Sequence, residues 1–76
     1  MKRYEIEVSG RVQGVGFRSF VDRESLNWDV TGKVKNIDNG NVLIYVQGEV
    51  NQVCSFMKII EKGNRFSKVE NFTTKE

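Results

Sequence analysis

Between Gly10 and Arg18 the chain reads G-R-V-Q-G-V-G-F-R, residue types whose order suits the holding of an anion. Gly14 and Gly16 can take left-handed or tightly turned conformations, so successive N–H groups can point into one concavity. A helical pattern begins at Phe17 to Ser19 and adds its own unpaired N–H groups and the positive end of its dipole. Arg18 brings a permanently charged planar fork suited to phosphate or carboxylate. A cation in the first turn of a helix is locally unfavourable, and a bound anion would compensate it. The rival reading is structural: a glycine-containing strand-to-helix turn followed by a surface arginine. A dinucleotide fingerprint fits poorly, since its third glycine position is Ser19 and a hairpin follows; no G-x-x-x-x-G-K-[ST] run occurs either.

Asn36 is the second candidate. Asparagine is disfavoured in strands, yet this one falls on the same side as Val34 near a strand end, where its amide could orient a water. It reads equally well as a turn residue ahead of Asp38-Asn39-Gly40. The Gln13 side chain is better suited to satisfying loop backbone groups than to touching a ligand. Asp22 and Glu24 diverge on a helix and read as solvated. Asp38, Asn39 and Asn41 lack the length and terminal glutamate of a calcium loop and read as a turn. Cys54 lies on an apolar helical stripe and reads as core, as does Trp28.

The elements that position these residues follow from periodicity. Tyr4, Ile6 and Val8 alternate with Glu5 and Glu7 as a first strand. Phe17, Phe20, Val21 and Trp28 mark a helix running to about Trp28. Lys33–Asn36 and Val42–Val46 flank the Asp38-Asn39-Gly40 turn as an antiparallel hairpin. Val50, Val53, Cys54, Met57 and Ile60 trace a second helix ended by Gly63-Asn64. Ser67–Thr73 is a fourth strand, with a bulge reconciling the spacing of Val69 and Phe72. The order βαββαβ is an α+β, ferredoxin-like arrangement: a four-stranded antiparallel sheet with two helices on one face, expected as a single domain over residues 1–76.

The composition narrows the partners. The chain has 76 residues, 38% hydrophobic and 29% charged, an ordinary globular balance. Twelve basic and 10 acidic residues leave a net charge of +2 without a block of one sign, which fits a small anionic ligand better than nucleic acid. Tyr4 and Tyr45 are the residues that could make an RNA-stacking face, but N-V-L-I-Y-V-Q-G lacks the K/R-G-F/Y pattern. One cysteine and no histidine exclude an intrachain disulfide and a Cys/His zinc site. No apolar run is long enough for a bilayer, and the expectation is a cytoplasmic monomer with no membrane or nucleic-acid partner.

The segment G-R-V-Q-G-V-G-F-R with G-K-V-K-N, Gly40, Gly48, Gly63 and V-x-x-F at Val69 and Phe72 resembles the acylphosphatase family along nearly the whole chain. The resemblance implies hydrolysis of an acyl phosphate to a carboxylate and inorganic phosphate, without metal or cofactor. It implies that Gln13, Gly14, Val15, Gly16, Phe17 and Arg18 bind the phosphoryl group and that Arg18 and Asn36 are the catalytic residues, Asn36 positioning the attacking water. A non-catalytic anion-binding or regulatory module of the same fold is the alternative. Against the family pattern, Ser25, Trp28 and Lys33 replace alanine, leucine and an aromatic. Asp29 stands where a glycine commonly gives a left-handed helix cap, at an expected cost of about 1 kcal/mol. The family ordinarily has a further strand after the fourth, so one sheet edge is expected to be open.

Overall fold

The alternation at the start of the chain folds as a strand. In the computed structural model, which describes residues 1–76, β1 (Lys2–Arg11) buries Ile6 and Val8 and leaves Glu5 exposed. There follow α1 (Phe17–Ser25), β2 (Val30–Asn36), β3 (Val42–Gly48), α2 (Val50–Lys62) and β4 (Lys68–Lys75). The strands form one antiparallel sheet in the order β2-β3-β1-β4. The core joins Ile6, Val8, Val42, Ile44 and Val46 of the sheet to Phe17 and Val21 of α1 and Val53, Phe56 and Ile60 of α2. No helix is long and apolar enough to cross a membrane. This is the ferredoxin-like arrangement that the periodicity predicts.

Strand direction gathers the loops. Because β1 and β2 each pair antiparallel with β3, they run the same way, and β1's last residue lies at the same end of the sheet as Asn36, the last of β2. The chain enters α1 at that end and enters β4 there too, where Arg11 pairs with Lys68. Residues 12–16, 37–41 and 63–67 therefore share one end of the molecule.

Several local expectations need correction. The first helix stops at Ser25, three residues short of Trp28. Ser25 Oγ bonds back to the Asp22 carbonyl at 2.7 Å, and Leu26, Asn27 and Trp28 donate to carbonyls three residues earlier, so the chain tightens out of the α-helix. Asp29 takes no left-handed conformation, since only glycines have positive φ, and the anticipated strain is absent. Its N–H instead donates to Gln52 Oε1 at 2.9 Å. Trp28 does pack on the core, and its Nε1 donates to Glu24 Oε2 at 3.0 Å.

In α2 the buried residues are Val53, Phe56 and Ile60, whereas Cys54 is half-buried and Val50 is 39% exposed. The larger area of Phe56 turns the helix so that its ring, not the thiol, faces the sheet. Tyr4 and Tyr45 fall on opposite faces. Tyr4 shares the helix side with Ile6, and Tyr45 lies on the other, where the Lys33 ammonium is 5.6 Å from its ring. A common stacking platform does not exist. The bulge falls where the spacing of Val69 and Phe72 asks for it: Ser9 pairs with Asn71 and Gly10 with Val69, leaving Glu70 as the extra residue.

Candidate active site

The loop after β1 is fastened at both ends by apolar burial. Val12 and Phe17 are 1% and 0% exposed, while Gly14 and Gly16 between them lie at the surface. Gly14 has φ 73° and Gly16 φ 78°, the left-handed region that L side chains adopt at a cost. These two conformations turn the peptides of the loop. The N–H groups of Gln13, Gly14, Val15 and Gly16 donate to no acceptor in the chain, and the first three N–H groups of α1 find no acceptor in the loop; the first loop-to-helix bond is Phe20 N–H to the Gly16 carbonyl, 3.0 Å.

The two helices begin differently. The N-terminus of α2 is capped by Glu49, whose carboxylate accepts from the Gln52 N–H at 3.2 Å. That of α1 begins at Gly16 with no side-chain cap and no acidic residue in its first turn. Its dipole and free N–H groups remain available to an external anion. Arg18 stands exposed in this first turn and makes no ion pair.

Two side-chain amides brace the loop from opposite sides. Gln13 Nε2 donates to the Ile37 carbonyl at 2.9 Å and the Asn41 carbonyl at 2.8 Å. Ile37 directly follows Asn36, so Gln13 ties the loop to the turn carrying the second candidate residue. On the other side Asn64 Nδ2 donates to the Val15 carbonyl at 3.1 Å. In a trans peptide N–H and C=O point apart, so drawing the Val15 carbonyl toward Asn64 aims the Gly16 N–H the other way. Asn64 is the residue that sequence reasoning misses, since its local pattern marks only a helix end. The available signal is topological, because a βαββαβ order puts its connection beside the first loop.

Asn36 pairs with Val42, which pairs with Val8, and both valines are fully buried on the helix-facing side. Its side chain is therefore on the face that carries α1, at the sheet's loop-bearing end, and it is exposed. The fold brings Arg18, Asn36 and the Gln13–Phe17 backbone to one corner. Asp22, Glu24 and Cys54 are not part of it; Glu24 instead accepts from Trp28 and from Asn27 Nδ2 at 3.3 Å.

Comparison with known proteins identifies the family of the whole chain. The family model described as acylphosphatase matches residues 4–76. The chain belongs to the acylphosphatase family. It is 47% identical over 76 residues to the acylphosphatase of Clostridium acetobutylicum, covering 100% of this chain and 84% of that protein. The crystal structure of acylphosphatase from Bacillus subtilis superposes with a TM-score of 0.95 at 44% identity, over 99% of this chain and 83% of that one. An acylphosphatase structure from Coxiella burnetii gives a TM-score of 0.89 at 30% identity, covering 96% and 77%. The activity is accordingly that of an acylphosphatase, a hydrolase of acyl phosphates, and the alternative of a non-catalytic anion-binding or regulatory module is set aside.

Proposed function

We propose that the 13–18 backbone and the Arg18 guanidinium hold the phosphoryl group of an acyl phosphate while the Asn36 amide orients the attacking water. The observation that carries this reading is the uncapped start of α1: a run of N–H groups without acceptors, opened by two left-handed glycines, beside an unpaired arginine. Phosphoryl transfer asks mainly for positioning and for charge stabilisation on the equatorial oxygens, and preorganised N–H groups supply both. The water oxygen bonds to phosphorus as the bond from phosphorus to the acyl oxygen breaks, and the carboxylate leaves with the electron pair. A carboxylate is a good leaving group, so no general acid is required. The water's proton passes to a phosphoryl oxygen of the substrate, a step that needs no histidine and releases inorganic phosphate.

The roles separate experimentally. Arg18→Ala lowers kcat by roughly 10²–10³, the usual effect of losing one preorganised donor, and weakens competitive inhibition by phosphate. Asn36→Ala lowers kcat strongly while phosphate still binds. Equal weakening of phosphate inhibition in both variants would make Asn36 a binding residue and end the assignment of the water to it.

A further inference from the structure

The 63–67 connection brings further charge to the rim of the loop. An open cleft of about 570 Å³ is lined by Arg11, Gly14, Val15, Arg65 and Phe66. Gly14 and Val15 belong to the proposed phosphoryl site, so the cleft adjoins it. Its walls carry two guanidinium groups and no carboxylate, and neither arginine is ion-paired, the chain's salt bridge being that of Lys2 with Glu76. Lys68, opposite Arg11 in the β1–β4 pairing, and Glu70, beside Gly10, flank the cleft without lining it. Phe66 is 65% exposed, and the Arg65 guanidinium lies 5.6 Å from its ring centroid. Unpaired cations around one cleft repel each other until an anion arrives. An exposed aromatic ring beside them offers an apolar face to carbon.

We propose that this cleft receives the acyl portion of the substrate and that Arg65, assisted by Arg11, selects acyl groups bearing a second negative charge. The inference rests on the placing of the phosphoryl group at residues 13–18. Phe66 covers the acyl carbons, and the guanidinium groups meet a terminal carboxylate or phosphate in the forked geometry that arginine favours. Arg65 is thus a specificity-determining residue, outside the chemistry at phosphorus.

The test compares 4-carboxybenzoyl phosphate with 4-carbamoylbenzoyl phosphate, which has nearly the same shape and no terminal charge. Neither can cyclise onto its own acyl group. At low ionic strength Arg65 raises the ratio of their kcat/KM values about three- to fivefold, as expected for solvent-exposed charge contacts, and this contribution declines with added salt. Arg65→Gln removes that contribution while Arg11 stays in place, and Arg65→Glu lowers the ratio further. A parallel series with 4-phosphonobenzoyl phosphate identifies the anion: the charged substrate with the larger ratio carries the preferred terminus. Losses common to all substrates cancel in the ratio, so a general defect of the variant cannot imitate the effect. A ratio unmoved by Arg65→Gln and Arg65→Glu overturns the subsite. Undiminished turnover of the uncharged substrate by Arg18→Ala would instead overturn the phosphoryl site beneath it.

Discussion

The Gln13 amide makes a quantitative prediction, because its two hydrogen bonds join the phosphoryl loop to the Asn36 hairpin and nothing else does so through a side chain. Both bonds are short, 2.9 and 2.8 Å, and partly buried. Each acceptor keeps a second donor: the Ile37 carbonyl also accepts from the Gly40 N–H at 3.1 Å, and the Asn41 carbonyl from the Ile37 N–H at 3.0 Å. Removing Gln13 therefore leaves no orphaned carbonyl, and the loss is the net value of two bonds, about 2 kcal/mol. For 76 residues the unfolding entropy is about 160 cal/mol/K, so Gln13→Ala lowers Tm by roughly 12 °C. Gln13→Glu is worse at neutral pH, since an ionised carboxylate facing two carbonyl oxygens cannot donate. Its folded-state pKa is raised above the unfolded value, so the deficit is smallest below the unfolded value and grows as pH rises through the folded one. Urea titration at about pH 4 and pH 7 measures this, and acetyl phosphate turnover follows the kinetic effect, a fall of about tenfold in kcat as loop and hairpin lose register. A Gln13→Glu protein as stable as wild type at pH 7, or Gln13→Ala with unchanged Tm, would refute the tether.

Gly14→Ala meets nothing within 4 Å, so its cost is the backbone's alone: at φ 73° an L-alanine destabilises by about 1–2 kcal/mol in urea unfolding, whereas D-alanine placed there by chemical synthesis does not. Equal destabilisation by both would show that the loop's conformation is not what requires glycine. The hydrogen bond from Lys2 to Glu76, and secondarily the carboxylate's charge, raise the lysine pKa above its ordinary value. The sign follows: any contribution is complete below the unfolded lysine pKa and is lost as pH rises through the folded one. The stability difference between wild type and Lys2→Met should hold from about pH 7 to 9 and shrink only in more alkaline solution; shrinkage within that interval would assign the effect to another group.

Legibility in the sequence depends on whether the cause is local. Left-handed backbone leaves a mark because glycine tolerates it best, so Gly14 and Gly16 disclose the loop through residue type alone. Alternation at Tyr4, Ile6 and Val8 and the Asp38-Asn39-Gly40 turn are equally local, and they specify the strands and the hairpin. Misreading sets in where a distant surface chooses between near-equal options. Cys54 and Phe56 both fit a helical period, and packing on the sheet selects the ring. At the end of α1 an apolar spacing that extends to Trp28 competes with a serine hydroxyl that bonds backward at Ser25, and the hydroxyl prevails.

Gln13's task of satisfying backbone groups is legible in its type, but the partners of both braces are not, for the same reason, and that fact bears on how the enzyme works. Gln13 reaches over 24 and 28 residues and Asn64 over 49. No window of sequence contains either partnership. The N–H groups of the loop make no bonds within the chain to hold them in place, so their direction is fixed from outside, by the hairpin on one side and the 63–67 connection on the other. If the loop is to hold an anion as proposed, its concavity must stay open against its own tendency to close its hydrogen bonds, and each brace engages a carbonyl or anchors the turn to prevent this. The βαββαβ order is what makes such bracing available, since it delivers three connections to one end of the sheet. On the proposed placing of the phosphoryl group, preorganisation at phosphorus is thus a property of the whole fold, and weakening β4 or the hairpin should cost turnover before it costs the fold.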